Sequence, residues 1–203
     1  MASPKYTAGT AGNVIASVSV ASGGSRTAAG VCDLTGAFAG AVECKLVTGG
    51  TAPSKPTTFG AYRAATQTAA APAGTLGSAA TSGASSITLA SATISTPGQS
   101  IAIVGGGAGE LATVQSASGP ALTLAAALAN GYPSGAAVYR VESVPSGGSV
   151  QPGNGAGSWS NNSAYATSLY PPAGNLWIVA ATNADTAQAV TVQASLDSTT
   201  SIA

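Results

Sequence analysis

The chemistry open to this chain is limited first by what it lacks. Its 203 residues include no histidine. That removes the commonest general base, the commonest metal ligand and the Ser/His/Asp triad together. Two cysteines, Cys32 and Cys44, are the remaining strong nucleophiles. A catalytic Cys needs a His near it in space, and two thiols without imidazole make a poor zinc site. The carboxylates Asp33, Glu43, Glu110, Glu142, Asp185 and Asp197 are scattered, whereas glycosidase chemistry needs two of them facing across a cleft. The stretch SIAIVGGGAGELATV, residues 100–114, has four glycines in five positions. A phosphate loop leads into a helix N-terminus and ends in Lys-Ser/Thr, or has an acidic residue about 20 positions on within a βαβ unit. Here ELATVQSASGPALTL follows, with no Lys and no helical period. The glycines are therefore expected at positive φ in a hairpin turn, with Glu110 solvated at a strand start. No catalytic, cofactor-binding or metal-binding residue is expected, and the chain reads as no enzyme.

Binding candidates remain. Antiparallel pairing about Phe38 would set Cys32 opposite Cys44 and Leu34 opposite Val42. Both thiols then lie on an apolar face. They form either a cross-strand disulfide, made after release into an oxidising medium, or two buried free thiols acting as small hydrophobes. Trp159, Tyr165, Tyr170 and Trp177 cluster near the C-terminus. Trp159, Tyr165 and Tyr170 could stack a glycan or meet a partner. The alternative places Trp177 in the core and the others at its edge.

The elements that must carry these residues are built from an unusual mixture. Hydrophobic residues make 45% of the chain, but much of that is alanine. Val, Ile, Leu and Phe sum to only 35 residues, under the roughly 20% level at which disorder becomes a concern. High net charge, the other mark of disorder, is absent, because six Lys+Arg balance six Asp+Glu. Folded domains with thin cores are expected, gaining stability against neighbours. The same charge balance argues against a nucleic-acid partner. No apolar run approaches the ~20 residues of a membrane helix. The start, MASPKYTAGTAGNV, lacks the pattern of a secretory signal, so synthesis and assembly are expected in a cytosol.

Period-2 alternation recurs and argues for strands. Val14, Ala16, Val18 and Val20 would share one face, as would Val42, Cys44 and Leu46, and Val190, Val192, Ala194 and Leu196. NLWIVAAT, residues 175–182, suits a strand covered on both faces. Low-complexity joints at 69–85 and 145–158 read as linkers. Between them, 86–144 divides into five strand-like pieces: SSITLAS, QSIAIVG, ELATVQS, ALTLAAAL and AAVYRVES. They read as a small five-stranded β-barrel or sandwich. The flanks, 1–68 and 159–203, are each small for a core of their own. Joined, they give one all-β, jelly-roll-like sandwich interrupted by the 86–144 domain.

The flanking DLTGAFAGAVECKLVTGGTAPSKPTTFGAYRA and NLWIVAATNADTAQAVTVQASLDSTTSI resemble small β-sandwich virion proteins of tailed bacteriophages. The central SSITLASATISTPGQSIAIVGGGAGELATVQSASGPALTLAAALANGYPSGAAVYRVES resembles a β-module recurrent in phage structural proteins. The resemblance implies a capsid decoration (cement) protein, or a tail or fibre piece. Its implied partners are the major capsid protein and further copies of itself, as a homotrimer, and its place is the virion. The alternative is a tail, fibre or adhesion module that binds a host-surface glycan. Contacts with neighbours are expected through an N-terminal arm, 2–13, and a C-terminal tail, 197–203.

Overall fold

Short β-branched stretches, each bounded by Gly, Pro and Ser, leave this chain little choice but strands. The computed structural model describes residues 6–8, 12–37, 39–64, 67, 71–142, 149–152 and 159–202, and none of these is helical. The strands of the N-terminal flank are β1 (Tyr6–Ala8), β2 (Gly12–Val20), β3 (Arg26–Asp33), β4 (Ala39–Thr48) and β5 (Thr57–Arg63). Those of the middle are β6 (Gly74–Thr75), β7 (Ser86–Thr88), β8 (Ser100–Gly105), β9 (Ala108–Ser118), β10 (Ala121–Leu124) and β11 (Ala137–Val141). The C-terminal flank adds β12 (Ser149–Val150), β13 (Ala164–Leu169), β14 (Leu176–Asn183) and β15 (Val190–Ile202).

The flanks join in two sheets. One has the order β2-β15-β4-β13, with β1 added to the end of β15; the other has the order β3-β14-β5-β12. Every pairing in them is antiparallel. Counted along the chain without β1, the first, eighth, third and sixth strands share one sheet. The second, seventh, fourth and fifth share the other. That is the order of a jelly roll, a double-sheet sandwich of two Greek keys. Its core fills the space between the sheets with Leu34, Val42, Leu46, Phe59, Trp177 and Val192, among others.

The remaining strands form a sheet ordered β6-β11-β8-β9-β10-β7. An isolated bridge, Leu76↔Leu89, joins its two ends and curls it into a closed barrel. Ile87, Leu89, Ile101, Ile103, Leu122 and Val138 fill it. All five expected strands are present, with β6 as a sixth. Residues 74–80, expected as linker, instead contribute Leu76 and Ala80 to the barrel core. A Gly/Ala/Ser composition resembles a linker whether or not its few apolar residues are buried. Of the joint at 145–158, only 149–152 lie within the described residues, and there Ser149 and Val150 pair with β5.

The barrel rests on the outside of the β3-β14-β5-β12 sheet. Along β14, Trp177, Val179 and Ala181 face the sandwich core. Leu176, Ile178 and Ala180 face Ala102, Tyr139 and Val141 of the barrel. The continuous apolar run at 175–182 is therefore covered on both faces, as expected. In β2 the alternation breaks. Val192 pairs with Val18, but Ala194 pairs with Ile15, so a bulge adds a residue to β2. A bulge flips the faces beyond it. Ile15, not Ala16, joins Val20 in the core.

The glycine-rich stretch is a turn. Gly105 pairs with Ala108 across the β8–β9 hairpin. The two residues between them, Gly106 and Gly107, have φ of 64° and 82°. Positive φ at both central positions defines the two-residue turn that glycine allows at no steric cost.

Candidate functional site

Cys32 lies on β3 and Cys44 on β4, in different sheets, so the pairing about Phe38 does not form. Cys32 faces Trp177 across the ladder, and Cys44 lies between Thr167 and Ala194. The chain crosses from sheet to sheet between β3 and β4, where a simple hairpin was expected; Phe38 lies outside the described residues. Both thiols are free and buried in the sandwich core. Burial, reinforced by Asp33, pushes the Cys32 thiol up to about 12. Burial, reinforced by Cys32, does the same for Cys44. Thiols so protonated make poor nucleophiles.

The aromatic residues separate. Trp177 is core, and its Nε1–H donates to the Pro172 carbonyl at 2.8 Å. Trp159 and Tyr165 meet edge to face, with ring centroids 4.9 Å apart, and both pack against the sandwich core. The Tyr165 hydroxyl oxygen accepts the Ser160 N–H at 2.7 Å, which lowers its pKa. Both rings are half-buried. Tyr170 stands apart from them, 74% exposed, just past the end of β13.

Two carboxylates are buried: Glu110, expected in solvent, and Asp185, expected only as one of the scattered carboxylates. Glu110 is 4% exposed. The expectation of a solvated strand-start residue is therefore overturned. Its carboxylate accepts the N–H groups of Ala129 and Asn130 and the Asn130 side-chain amide at 3.0–3.2 Å. Burial raises its pKa, while these donors and Arg26 pull it back. The 125–130 loop closes over Glu110, and no local pattern announced that closure. Glu110, Arg26, Thr27, Tyr62, Ser100 and Thr182 line a cavity of about 330 Å³ between barrel and sandwich.

Asp185 is the second, 1% exposed. Its carboxylate accepts N–H groups of Ser54, Lys55, Ala187 and Gln188 at 2.5–2.9 Å, and the Ser54 hydroxyl at 3.0 Å. Its own carbonyl accepts Gly23 and Gly24 N–H. Burial alone would raise its pKa, but the backbone donors hold it far below the usual carboxylate range. The neighbouring Asn183 side chain donates to the carbonyls of Val20, Ala21 and Gln188. Three loops, 21–25, 49–56 and 184–189, are thus tied together at one end of the sandwich.

Glu110 and Asp185 accept hydrogen bonds from backbone and amide groups and hold loops, which is structural chemistry. The class of protein that strand order defines here is a jelly-roll β-sandwich carrying an inserted β-barrel. No protein-family model matches the chain, and no curated protein matches it. Among solved structures, the chain aligns with VP17, a capsid protein of bacteriophage P23-77. That alignment covers 96% of this chain and 99% of that one, at 9% identity and a TM-score of 0.17. A second alignment, to the structure of infectious bursal disease virus Gx strain, covers 98% of this chain and 42% of that one, at 13% identity and a TM-score of 0.12. Likenesses this slight carry no weight; the jelly roll stands on its own strand order.

Proposed function

We propose that this chain is a non-enzymatic structural protein of a tailed-phage virion. In particular it is a capsid decoration (cement) protein that binds the major capsid protein lattice as a symmetric oligomer, a homotrimer. The observation that carries this is the jelly-roll order of the two sheets. Jelly rolls recur in viral capsid, lectin and cupin domains. A cupin centre relies on imidazole ligands, and this chain has no His. A lectin would stack its sugar on accessible aromatic rings, and Trp159 and Tyr165 spend part of their surface on each other and on the sandwich core. The capsid role also agrees with the sequence resemblance of both flanks. In this scheme the split sandwich and the inserted barrel are two units of one virion protein, assembled in the host cytoplasm.

Deleting the coding sequence for this chain from the phage genome tests the cement role. Particles lacking the chain are expected to lose their DNA at a lower temperature, and added purified chain restores the wild-type value. Unchanged heat stability overturns it. The second reading, a tail, fibre or adhesion module, is favoured only by the exposed Tyr170. It predicts glycan binding that alanine at Trp159, Tyr165 or Tyr170 abolishes.

A further inference from the structure

Strand β13 is an edge of the sandwich. Among the described residues its six, AYATSL, pair with β4 and with no other strand. Edges are normally blunted by Lys, Pro or a bulge, because a bare row of N–H and C=O groups recruits another strand. β13 has no charge, no Pro and no register shift. The register identifies which groups are bare. Thr48 N–H donates to the Ser163 carbonyl at 2.9 Å, which makes 163 and 48 a hydrogen-bonded pair. Alternation along an antiparallel ladder then directs Tyr165, Thr167 and Leu169 backbone groups toward β4. Those of Ala164, Ala166 and Ser168 are directed away from β4. Among the described residues they have no partner.

A second unfinished element belongs to the same sheet. β15 has β4 as a neighbour as far as Thr199, opposite Ala39. Beyond that, among the described residues, it pairs with β1 alone, Tyr6 with Ile202 and Thr7 with Ser201. Of the N-terminal arm and C-terminal tail expected to meet neighbours, Tyr6–Ala8 and Thr199–Ile202 are therefore paired with each other as a ribbon. An isolated two-stranded ribbon is marginal in water, and this one is anchored in the sheet only through the earlier part of β15. The sheet thus has an uncovered edge at β13 and a two-stranded end at β1–β15, on opposite sides of β4. A second copy of this chain completes both.

We propose that the β1–β15 ribbon of one copy adds to the open β13 edge of the next, head to tail. Such a contact is heterologous, so it closes into a ring or runs on as a filament. A ring of three fits the homotrimer proposed above, although the joint itself does not depend on where the chain acts. Tyr170, exposed beside the end of β13, is placed to pack on the arriving ribbon. Tyrosine is among the residues enriched at the energetic centres of interfaces.

Sedimentation of the full chain tests the joint, with two variants. Ala166→Pro removes only an N–H directed away from β4, a position where an edge strand tolerates proline. Deletion of residues 1–8 removes the donor strand. The wild-type chain is expected as a closed oligomer and each variant as a monomer with unchanged circular dichroism. Mixed together, the variants are expected to form a one-to-one heterodimer, because each retains the half that the other has lost. Should Ala166→Pro lose its circular dichroism signal, Ala166→Lys takes its place, with the same expectation. A monomeric wild type, a variant that still forms the full oligomer, or a mixture that stays monomeric overturns the proposal. None of these results bears on whether the chain resides in the virion.

Discussion

Asp185 shows how one side chain can govern a whole end of this molecule. Its carboxylate gathers donors from 54–55 and 187–188, while its carbonyl takes Gly23 and Gly24. Asp185→Ala takes the side-chain acceptor away from the Ser54, Lys55, Ala187 and Gln188 N–H groups and is expected to cost about 1–3 kcal/mol, read as a lower urea midpoint. The pH dependence has a definite sign. A carboxyl whose folded pKa lies below its unfolded value stabilises above the unfolded pKa, near 3.9. That stability is lost as pH falls through the folded value. Glu110 runs the other way, because burial raises its pKa. The folded chain holds that proton longer, so stability declines as pH rises from the unfolded pKa of about 4.3 through the folded one. Urea titrations across acid pH are expected to show Asp185→Ala without the steep loss below pH ~4. Glu110→Gln is expected without the decline above it. A steep acid loss that persists in Asp185→Ala contradicts this assignment.

Elements meet here through glycine. An added Cβ at Gly109 of β9 would fall onto the Ala29 carbonyl of β3, and one at Gly30 onto the Val14 carbonyl of β2. At both places one backbone crosses another too closely for any side chain. Gly109→Ala is expected to lift the β8–β9 hairpin from β3 at a cost of ~1–3 kcal/mol, typical of overpacking. Urea melts read the loss, and a wild-type midpoint would rule out the close crossing. The strands themselves were legible, because their alternation is local: Val42, Cys44 and Leu46 are buried and Glu43 and Lys45 exposed, as their period implies. Which sheet a strand joins is decided by distant pairings. That is why Cys32 and Cys44 were expected opposite each other and instead occupy two sheets. The β2 bulge and the loop that closes over Glu110 were hidden for the same reason. The aromatic candidates were half legible: Trp177 lay in the core as the simpler alternative had it, and the edge-to-face turn of Trp159 on Tyr165 needed coordinates.

The molecule as a whole is three layers deep. The β2-β15-β4-β13 sheet, the β3-β14-β5-β12 sheet and the barrel bury two apolar seams between them. A chain with so few large hydrophobic residues depends on that stacking, with Ala29, Ala64, Ala102 and Ala180 allowing close approach in the outer seam. Few side chains are left to provide a reactive centre, and what remains is shape, edges and a nearly uncharged surface. On the function proposed above, the chain works by fitting beside its neighbours. The measurement that reaches this claim most directly is the number of copies of the chain in purified particles, by quantitative peptide counting against the major capsid protein. The decoration role predicts hundreds of copies, in a fixed ratio to the capsid protein. A handful would move the chain to the tail or a vertex, and absence from the particles would contradict the virion role altogether.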